Sequence, residues 1–178
     1  MPKILTSVRE QLLGTARAQI LEQGYAKTTM RSIAAACGIA VGTVYNYFPS
    51  KDMLIATFVA EDWQEFLDAM RADDSKDPRK HFKLIYDSLT AFAEKNAKLF
   101  SDKDAAAVFS ASLPERHGML RAQIAEVVLP YCSRGMADTA ADPAFLADFI
   151  AESILTWSMA KVPFEKIYSV IEKIILPK

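Results

Sequence analysis

The chain has 178 residues, 51% of them hydrophobic and 24% charged, with a formal net charge of −1. That apolar fraction supports a sizeable core and excludes a largely disordered chain, and no apolar run reaches the roughly 18–20 residues that a membrane span requires. Glycine is scarce, at six residues, and alternating strand patterns are missing, so the pattern is that of an all-α chain. The length suits one large domain or a small one attached to a larger one. Two cysteines, Cys37 and Cys132, make a disulfide framework an unsuitable reading. The N-terminal residues lack a long apolar signal segment, so the expected location is cytoplasmic.

Charge is unevenly spread. Residues 1–51 hold six bases (Lys3, Arg9, Arg17, Lys27, Arg31, Lys51) and two acids (Glu10, Glu22), a balance of +4, which leaves −5 for residues 52–178. A basic head on an acidic body is the distribution expected of a head that meets phosphate.

The first helix is expected over Thr6–Gln23, with Val8, Leu12, Leu13, Ala16, Ile20 and Leu21 as its apolar stripe. Gly24 ends it, and Tyr25 follows at a position that often adds a capping contact. Gly14 sits inside this helix, where a close helix crossing would account for it. From Thr28 to Asp52 the chain reads as two short helices joined by a tight turn, then the start of a further helix. Thr29 is a good N-cap for the first of them. Gly38 falls where a chain leaving a helix needs a left-handed residue, and Ala34 is small enough for the second helix to approach. The second helix begins near Val41, and Val44 and Tyr47 give it an inward face. Gly42, Thr43 and Asn46 then point the other way. Thr43 can exchange a hydrogen bond with a base edge, and Asn46 can pair bidentately with adenine. The hydroxyls of Tyr45 and Tyr47 can reach phosphate, while Phe48 reads as core and Tyr47 is open between core and phosphate. This is a helix-turn-helix pattern.

The match is closer than a generic one. Thr29-Met30-Arg31-Ser32-Ile33-Ala34, Cys37-Gly38-Ile39, Gly42-Thr43-Val44-Tyr45-Asn46-Tyr47-Phe48 and Ser50-Lys51-Asp52-Met53-Leu54 resemble the N-terminal DNA-binding domain of the TetR family of bacterial transcriptional regulators. The resemblance covers roughly residues 7–58. It implies DNA contacts from Thr29, Arg31, Val41, Gly42, Thr43, Tyr45, Asn46, Tyr47 and Lys51, with Tyr47 on backbone phosphate. Lys51 would otherwise oppose the dipole of its own helix, by about 0.3–1 kcal/mol. One departure is Ala40, where many family members carry Ser or Thr; it cannot cap the recognition helix with a hydroxyl.

Pro49 stops the recognition helix and Ser50 caps the next, expected over Lys51–Arg71 with Leu54, Phe58, Trp63, Phe66, Leu67 and Met70. Residues 72–77 form a polar linker. Asp77-Pro78 opens a helix carrying Phe82, Ile85, Tyr86, Leu89, Phe92 and Ala93 to about Asn96. A helix with Ala105, Val108 and Phe109 ends near Pro114. The next spans about Glu115–Arg134, with Leu120, Ile124, Val127, Val128 and Tyr131 on one stripe and Pro130 kinking or shortening it. Asp142-Pro143 starts a helix with Phe145, Leu146, Phe149, Ile150, Ile154 and Trp157. Pro163 opens the last, with Phe164, Ile167, Tyr168, Ile171, Ile174 and Ile175.

The expected architecture is therefore all-α, about nine helices: a three-helix helix-turn-helix domain over residues 1–50 and a larger helical effector-binding and dimerisation domain over residues 51–178. A head this small makes few base contacts, and dimers gain affinity on a palindromic operator. The expected dimer interface is Phe145, Phe149, Ile150, Ile154, Trp157, Ile167, Ile171 and Ile174, with Ala147, Ala151 and Ser158 permitting close approach. The same stripes could instead pack within one subunit. Within the family the middle region encloses an effector, which here points to Phe66, Met70, Phe82, Tyr86, Phe92, Phe100 and Phe109 as a pocket for a small, largely apolar molecule. The plain alternative for those residues is core.

His81, His117 and Cys132 lack metal-ligand spacing, and no nucleophile–base pair or phosphate-cradling loop is present, so neither a metal, a cofactor nor an enzyme is expected. The reading is a dimeric, ligand-released repressor that binds double-stranded DNA. A regulator whose body binds a protein, and a helical carrier or enzyme with a borrowed head, stand as alternatives.

Overall fold

The computed structural model describes residues 7–110, 113–134 and 142–175. Every regular element among them is a helix: α1 Val8–Gln23, α2 Met30–Cys37, α3 Val41–Tyr47, α4 Lys51–Ala72, α5 Pro78–Lys95, α6 Ala97–Phe100, α7 Lys103–Phe109, α8 Leu113–Arg134, α9 Pro143–Met159 and α10 Phe164–Ile175. Ten helices stand where about nine were expected, because the four-residue α6 is too short to show a periodic stripe. No described helix is long and apolar enough to cross a membrane. Thr6, expected to begin the first helix, and Lys3 lie outside the described residues.

Helix boundaries follow local capping chemistry. The Ser7 hydroxyl accepts the Glu10 amide and the Glu10 carboxylate accepts the Ser7 amide, closing a capping box on α1. Asp142 accepts from the amide of Ala144 at the start of α9, Asp77 from the amide of Arg79 at α5, and Ser50 from the amide of Met53 at α4. Pro130 does not shorten α8, which runs on to Arg134. Pro130 is exposed and within the last turn and a half, so the single backbone bond it removes is lost at the helix edge.

The described residues fall into two compact units, one from Met1–Asp62 with Asn96–Ala111 and one from Trp63–Lys95 with Ser112–Lys178. The division lies inside α4. In the first unit, Leu12, Ala16 and Ile20 of α1, Ile33 of α2, Val44 of α3 and Leu54 of α4 form a core that also takes Leu99 of α6 and Ala105 of α7. Leu21, expected on the inner stripe of α1, is 47% exposed. It lies 100° of helix rotation from the buried Ile20, on the far edge of the stripe.

Charge pairs brace this unit. The Arg17 guanidinium donates two bonds of 2.6 Å to the carboxylate of Asp62, which is buried, and packs on the Phe58 ring at 4.6 Å. The Asn96 amide donates to the same carboxylate at 3.3 Å. Arg9 pairs with Glu61 at 2.5 Å. Seven bases (Arg9, Arg17, Lys27, Arg31, Lys51, Lys98, Lys103) meet seven acids (Glu10, Glu22, Asp52, Glu61, Asp62, Asp102, Asp104) among its described residues. The excess of positive charge in residues 1–51 is thus offset within the folded unit, by α4 above all.

The second unit is built on α5, α8, α9 and α10 with the C-terminal half of α4. Met70, Phe82, Ile85, Ile124, Ile150, Ile154, Ile167, Tyr168 and Ile171 are buried in it. Phe82 touches both Tyr131 and Tyr168, at centroid distances of 5.3 and 6.0 Å, and Phe164 stacks on Tyr168 at 5.3 Å. His81 is buried: one ring nitrogen lies 2.8 Å from the Met70 carbonyl, in the last turn of α4, and the other 2.5 Å from the Tyr131 hydroxyl. It closes a helix end that would otherwise bury an unpaired carbonyl.

Gly14 has no close crossing to explain it, since a Cβ there would meet nothing within 4 Å. Exposed mid-helix glycine destabilises by roughly 0.5–1 kcal/mol relative to alanine. Gly14→Ala is therefore expected to raise the urea unfolding free energy by about that amount; no gain in the midpoint would mean that the position is constrained in a way its surroundings do not reveal.

Candidate nucleic-acid interface

α2 and α3 are set by their own caps and one turn. The Thr29 hydroxyl accepts the Ser32 amide and the Ser32 hydroxyl accepts the Thr29 amide, both at 3.0 Å. Gly38 closes α2 in the left-handed region, at φ 68° and ψ 28°, and the Ile39 amide returns to the Ala34 carbonyl at 3.1 Å. Ala40 is the N-cap of α3 and makes no side-chain capping bond, as its sequence implies.

Val44 is fully buried and fixes the rotation of α3. Val41, Gly42, Tyr45 and Asn46 then lie on the exposed side, with Thr43 half-buried at its edge. Tyr47 does not share the inward face: it is 47% exposed, and Phe48, 5% exposed, takes that place. The reason is rotational, since i+4 returns to within 40° of Val44 whereas i+3 stops 60° short. Thr29 and Arg31 are exposed at the start of α2. The fold thus brings Thr29, Arg31, Val41, Gly42, Thr43, Tyr45, Asn46 and Tyr47 into one unit with their side chains wholly or partly open to solvent.

Lys51 differs from its expectation. Its ammonium donates to the Tyr25 carbonyl at 2.8 Å and lies 3.6 Å from the centre of the Tyr25 ring. Burial lowers its pKa, against the opposing charges of Asp52, Asp102 and Asp104. What offsets an ammonium at the N-terminus of α4 is therefore an internal carbonyl, ring and carboxylates, with no phosphate needed. The Tyr25 hydroxyl donates to Asp52, and burial with that bond pushes the phenol pKa up. The Tyr25 amide donates to Asp102 at 2.9 Å, and the amides of Asp104 and Ala105 donate to the same side chain. Led by the Tyr25 amide, these donors hold the Asp102 carboxyl below the usual carboxylate range. Gly24 makes this approach possible: its φ is 84°, and a Cβ would stand 3.2 Å from the Asp102 carboxylate. Sequence reasoning missed this cluster because Tyr25 and Asp102 are 77 residues apart.

In the second unit the expected pocket residues are mostly core. Met70 and Phe82 are wholly buried, Phe92 is nearly so, and Phe66 and Phe92 meet edge to face at 6.2 Å. Tyr86 is half-buried, its hydroxyl donating to the Val162 carbonyl at 2.9 Å. Phe100 and Phe109 belong to the first unit, where Phe109 packs edge-on to Tyr25 at 6.2 Å. A cleft of about 500 Å³ lies beside Met70, His81, Val127 and Tyr131, with Arg71, Asp73, Asp74, Lys76 and Glu126 on its walls. Of the expected pocket residues it takes only Met70.

The expected dimer residues divide in the same way. Ile150, Ile154, Ile167 and Ile171 are buried within the chain and have no surface to offer a partner, and Ala147, Ala151 and Ser158 are buried with them. A wide apolar stripe holds both an inner and an outer row, and periodicity alone does not separate them. Phe145, Phe149 and Trp157 form the outer row, 71%, 53% and 44% exposed, and Ile174 is half-buried. Among the described residues no group of three or more His, Cys, Asp or Glu is placed to hold a metal ion.

The family model for bacterial regulatory proteins of the tetR family matches residues 12–57, which span the core of this helix-turn-helix unit. Residues 12–57 carry a tetR-family N-terminal domain. The HTH-type transcriptional repressor KstR of Rhodococcus jostii is 28% identical over 108 residues, 56% of this chain and 51% of that one. The chain thus spans about half the length of that curated relative. Among solved structures, Salmonella enterica GusR superposes with a TM-score of 0.67 over 97% of this chain and 99% of its own, at 18% identity. The TetR family repressor FadR of Thermus thermophilus, solved in complex with lauroyl-CoA, gives 0.56 over 96% of both chains, at 19% identity. At these identities the two structures establish the shared fold.

Lys51→Ala is expected to destabilise the protein by about 1–2 kcal/mol, a charged hydrogen bond and a cation–π contact partly offset by the cost of burying the ammonium. Arg31→Ala, on an exposed side chain, is expected to change stability by less than 0.5 kcal/mol. Equal urea midpoints for the two variants would leave Lys51 without this structural role.

Proposed function

We propose that this protein is a transcriptional repressor that binds a palindromic operator as a dimer and leaves it when a small, largely apolar effector binds. The observation that carries the reading is the outward row of α3, where Tyr45, Asn46 and Tyr47 stay exposed while Val44 is fully buried. An exposed Asn and two exposed phenols on a short helix have no packing role, and they suit base edges and phosphates. In this reading residues 1–50 read DNA and residues 51–178 sense the effector and form the dimer, with α6 and α7 completing the core of the DNA-reading unit. Arg31, Thr29 and the two tyrosines supply the backbone contacts. Lys51 holds the Tyr25 loop and contributes to DNA binding through it. The effector site is proposed among Phe66, Met70, Phe82, Tyr86 and Phe92, whose packed side chains part to admit it, and the lauroyl-CoA complex of the Thermus relative supports an apolar chain as its occupant.

Selection of bound DNA from a random pool is expected to yield a palindrome. On that site, Asn46→Ala should relax preference at one base pair per half-site, by about 1–3 kcal/mol, whereas Tyr47→Ala should weaken all sites alike at an unchanged salt slope and Arg31→Ala should reduce that slope by about one. Lauroyl-CoA titrated into the complex should release the DNA. A pool with no enriched motif would remove the DNA-binding reading; retention of DNA under lauroyl-CoA would remove acyl chains as effector.

Phe149 and Ile171 separate the two rows of the body. Phe149→Glu is expected to give folded monomers by sedimentation. Ile171→Asp should instead lose about 3 kcal/mol or more of stability, because it buries a carboxylate without a partner. Dimers that persist in folded Phe149→Glu would place the interface elsewhere.

A further inference from the structure

The cleft beside the C-terminal end of α4 differs from the packed aromatic core next to it. It encloses about 500 Å³, and sites for small organic molecules run from about 300 to 1,000 Å³. Its apolar lining is a short strip of Met70, Val127, Pro130 and the Tyr131 ring.

The polar lining is made of acceptors. The Met70 carbonyl only accepts, so His81 Nε2, 2.8 Å away, carries the proton of the neutral ring, and Nδ1 accepts the Tyr131 hydroxyl hydrogen at 2.5 Å. With that hydrogen spent, the Tyr131 oxygen has only lone pairs to offer a ligand. Asp73 Oδ2 lies 4.0 Å from the same Nδ1, which has no hydrogen to give it. The Ser75 amide donates to Asp73 Oδ1 at 3.4 Å and orients the carboxylate, which is 24% exposed. Asp74 is exposed beside it. Pro130 has no N–H, so the Glu126 carbonyl lacks its helical partner, and both residues line the cleft. α4 ends at Ala72, so its last carbonyls and the negative end of its dipole lie at the same rim. Against these stand two cations. Arg71 is committed to Glu126 at 2.9 Å, and Lys76 is exposed.

We propose that this cleft binds a small organic cation, a primary ammonium carried on an aryl or short alkyl group. The three hydrogens of an ammonium match a rim of carboxylates, carbonyls and a phenol oxygen, and each bond they make is charge-assisted. The hydrocarbon part covers the strip of Met70, Val127 and Pro130. A carboxylate or phosphate in the same place would meet Asp73 and the Tyr131 oxygen without a donor between them. The site shares only Met70 with the apolar effector site proposed above and does not depend on that reading.

The chain has two histidines, so proton NMR resolves the imidazole signals of His81 and His117, and His117→Gln assigns them. Phenethylamine, phenethyl alcohol and phenylacetate are close in shape and differ in charge. Each is titrated into the full chain at neutral pH and one ionic strength. The His81 signal is expected to shift saturably with phenethylamine, at a Kd about tenfold below that of phenethyl alcohol, and to stay in place with phenylacetate. Asp73→Asn combined with Asp74→Asn, checked for folding by circular dichroism, is expected to weaken the amine about tenfold and leave the alcohol unchanged. Equal affinity for amine and alcohol overturns the cation assignment. A His81 signal that none of the three moves overturns the site, as does a shift confined to His117. Amine affinity unchanged in the folded double variant overturns the role of the two carboxylates.

Discussion

The first unit is arranged around one buried carboxylate. Asp62 is removed from water near the middle of α4, and an unpaired charge there would be several kcal/mol too costly to keep. Its partners define the geometry: a two-bonded Arg17 fork from α1 and the Asn96 amide just before α6. A guanidinium fork fixes direction as well as distance, so α1 has one rotation relative to α4 that satisfies it. The apolar row of Leu12, Ala16 and Ile20 then faces the core, and α2 and α3 take their places against it. The exposed row of α3 thus depends on an ion pair in another part of the unit.

A second constraint acts at the loop after α1. Gly24 turns the chain with a positive φ, the Tyr25 amide and carbonyl are taken by Asp102 and Lys51, and its ring lies under the Lys51 ammonium. Lys98 donates to the Leu21 and Glu22 carbonyls at the end of α1. Each end of this loop is therefore held by side chains, and α2 starts from a fixed point. The segment that supplies Asn96, Lys98 and Asp102 follows α5 in the chain, yet its contacts are with the head.

Much of this was legible from local pattern. Thr29, Ser50, Asp77 and Asp142 announce their helices because a cap acts within three residues. Gly38 and Val44 mark the turn and the rotation of α3 for the same reason. What was not legible depends on partners distant in sequence. Nothing near Lys51 reveals that a carbonyl 26 residues earlier takes its ammonium. The membership of Leu99 and Ala105 in the head core is likewise long-range. In α9 a stripe of Phe, Leu and Ile identifies a helix with two apolar sides, and only packing separates Ile150 and Ile154 from Phe145 and Phe149. Spacing places Tyr47 inward by a single step of rotation too early, whereas Phe48 is core as its position suggests.

The equal count of acids and bases among the described residues of the first unit has a further consequence, for the field it casts. A neutral unit casts little field beyond a Debye length, about 8 Å at physiological ionic strength. The attraction of such a unit to any polyanion is then short-ranged and set by individual exposed cations, such as Arg31 and Lys27. Long-lived sliding on arbitrary sequence draws on a broad field and on many released counterions. A near-neutral unit draws little on either, so at the operator proposed above its occupancy would rest on shape and hydrogen bonding at close range.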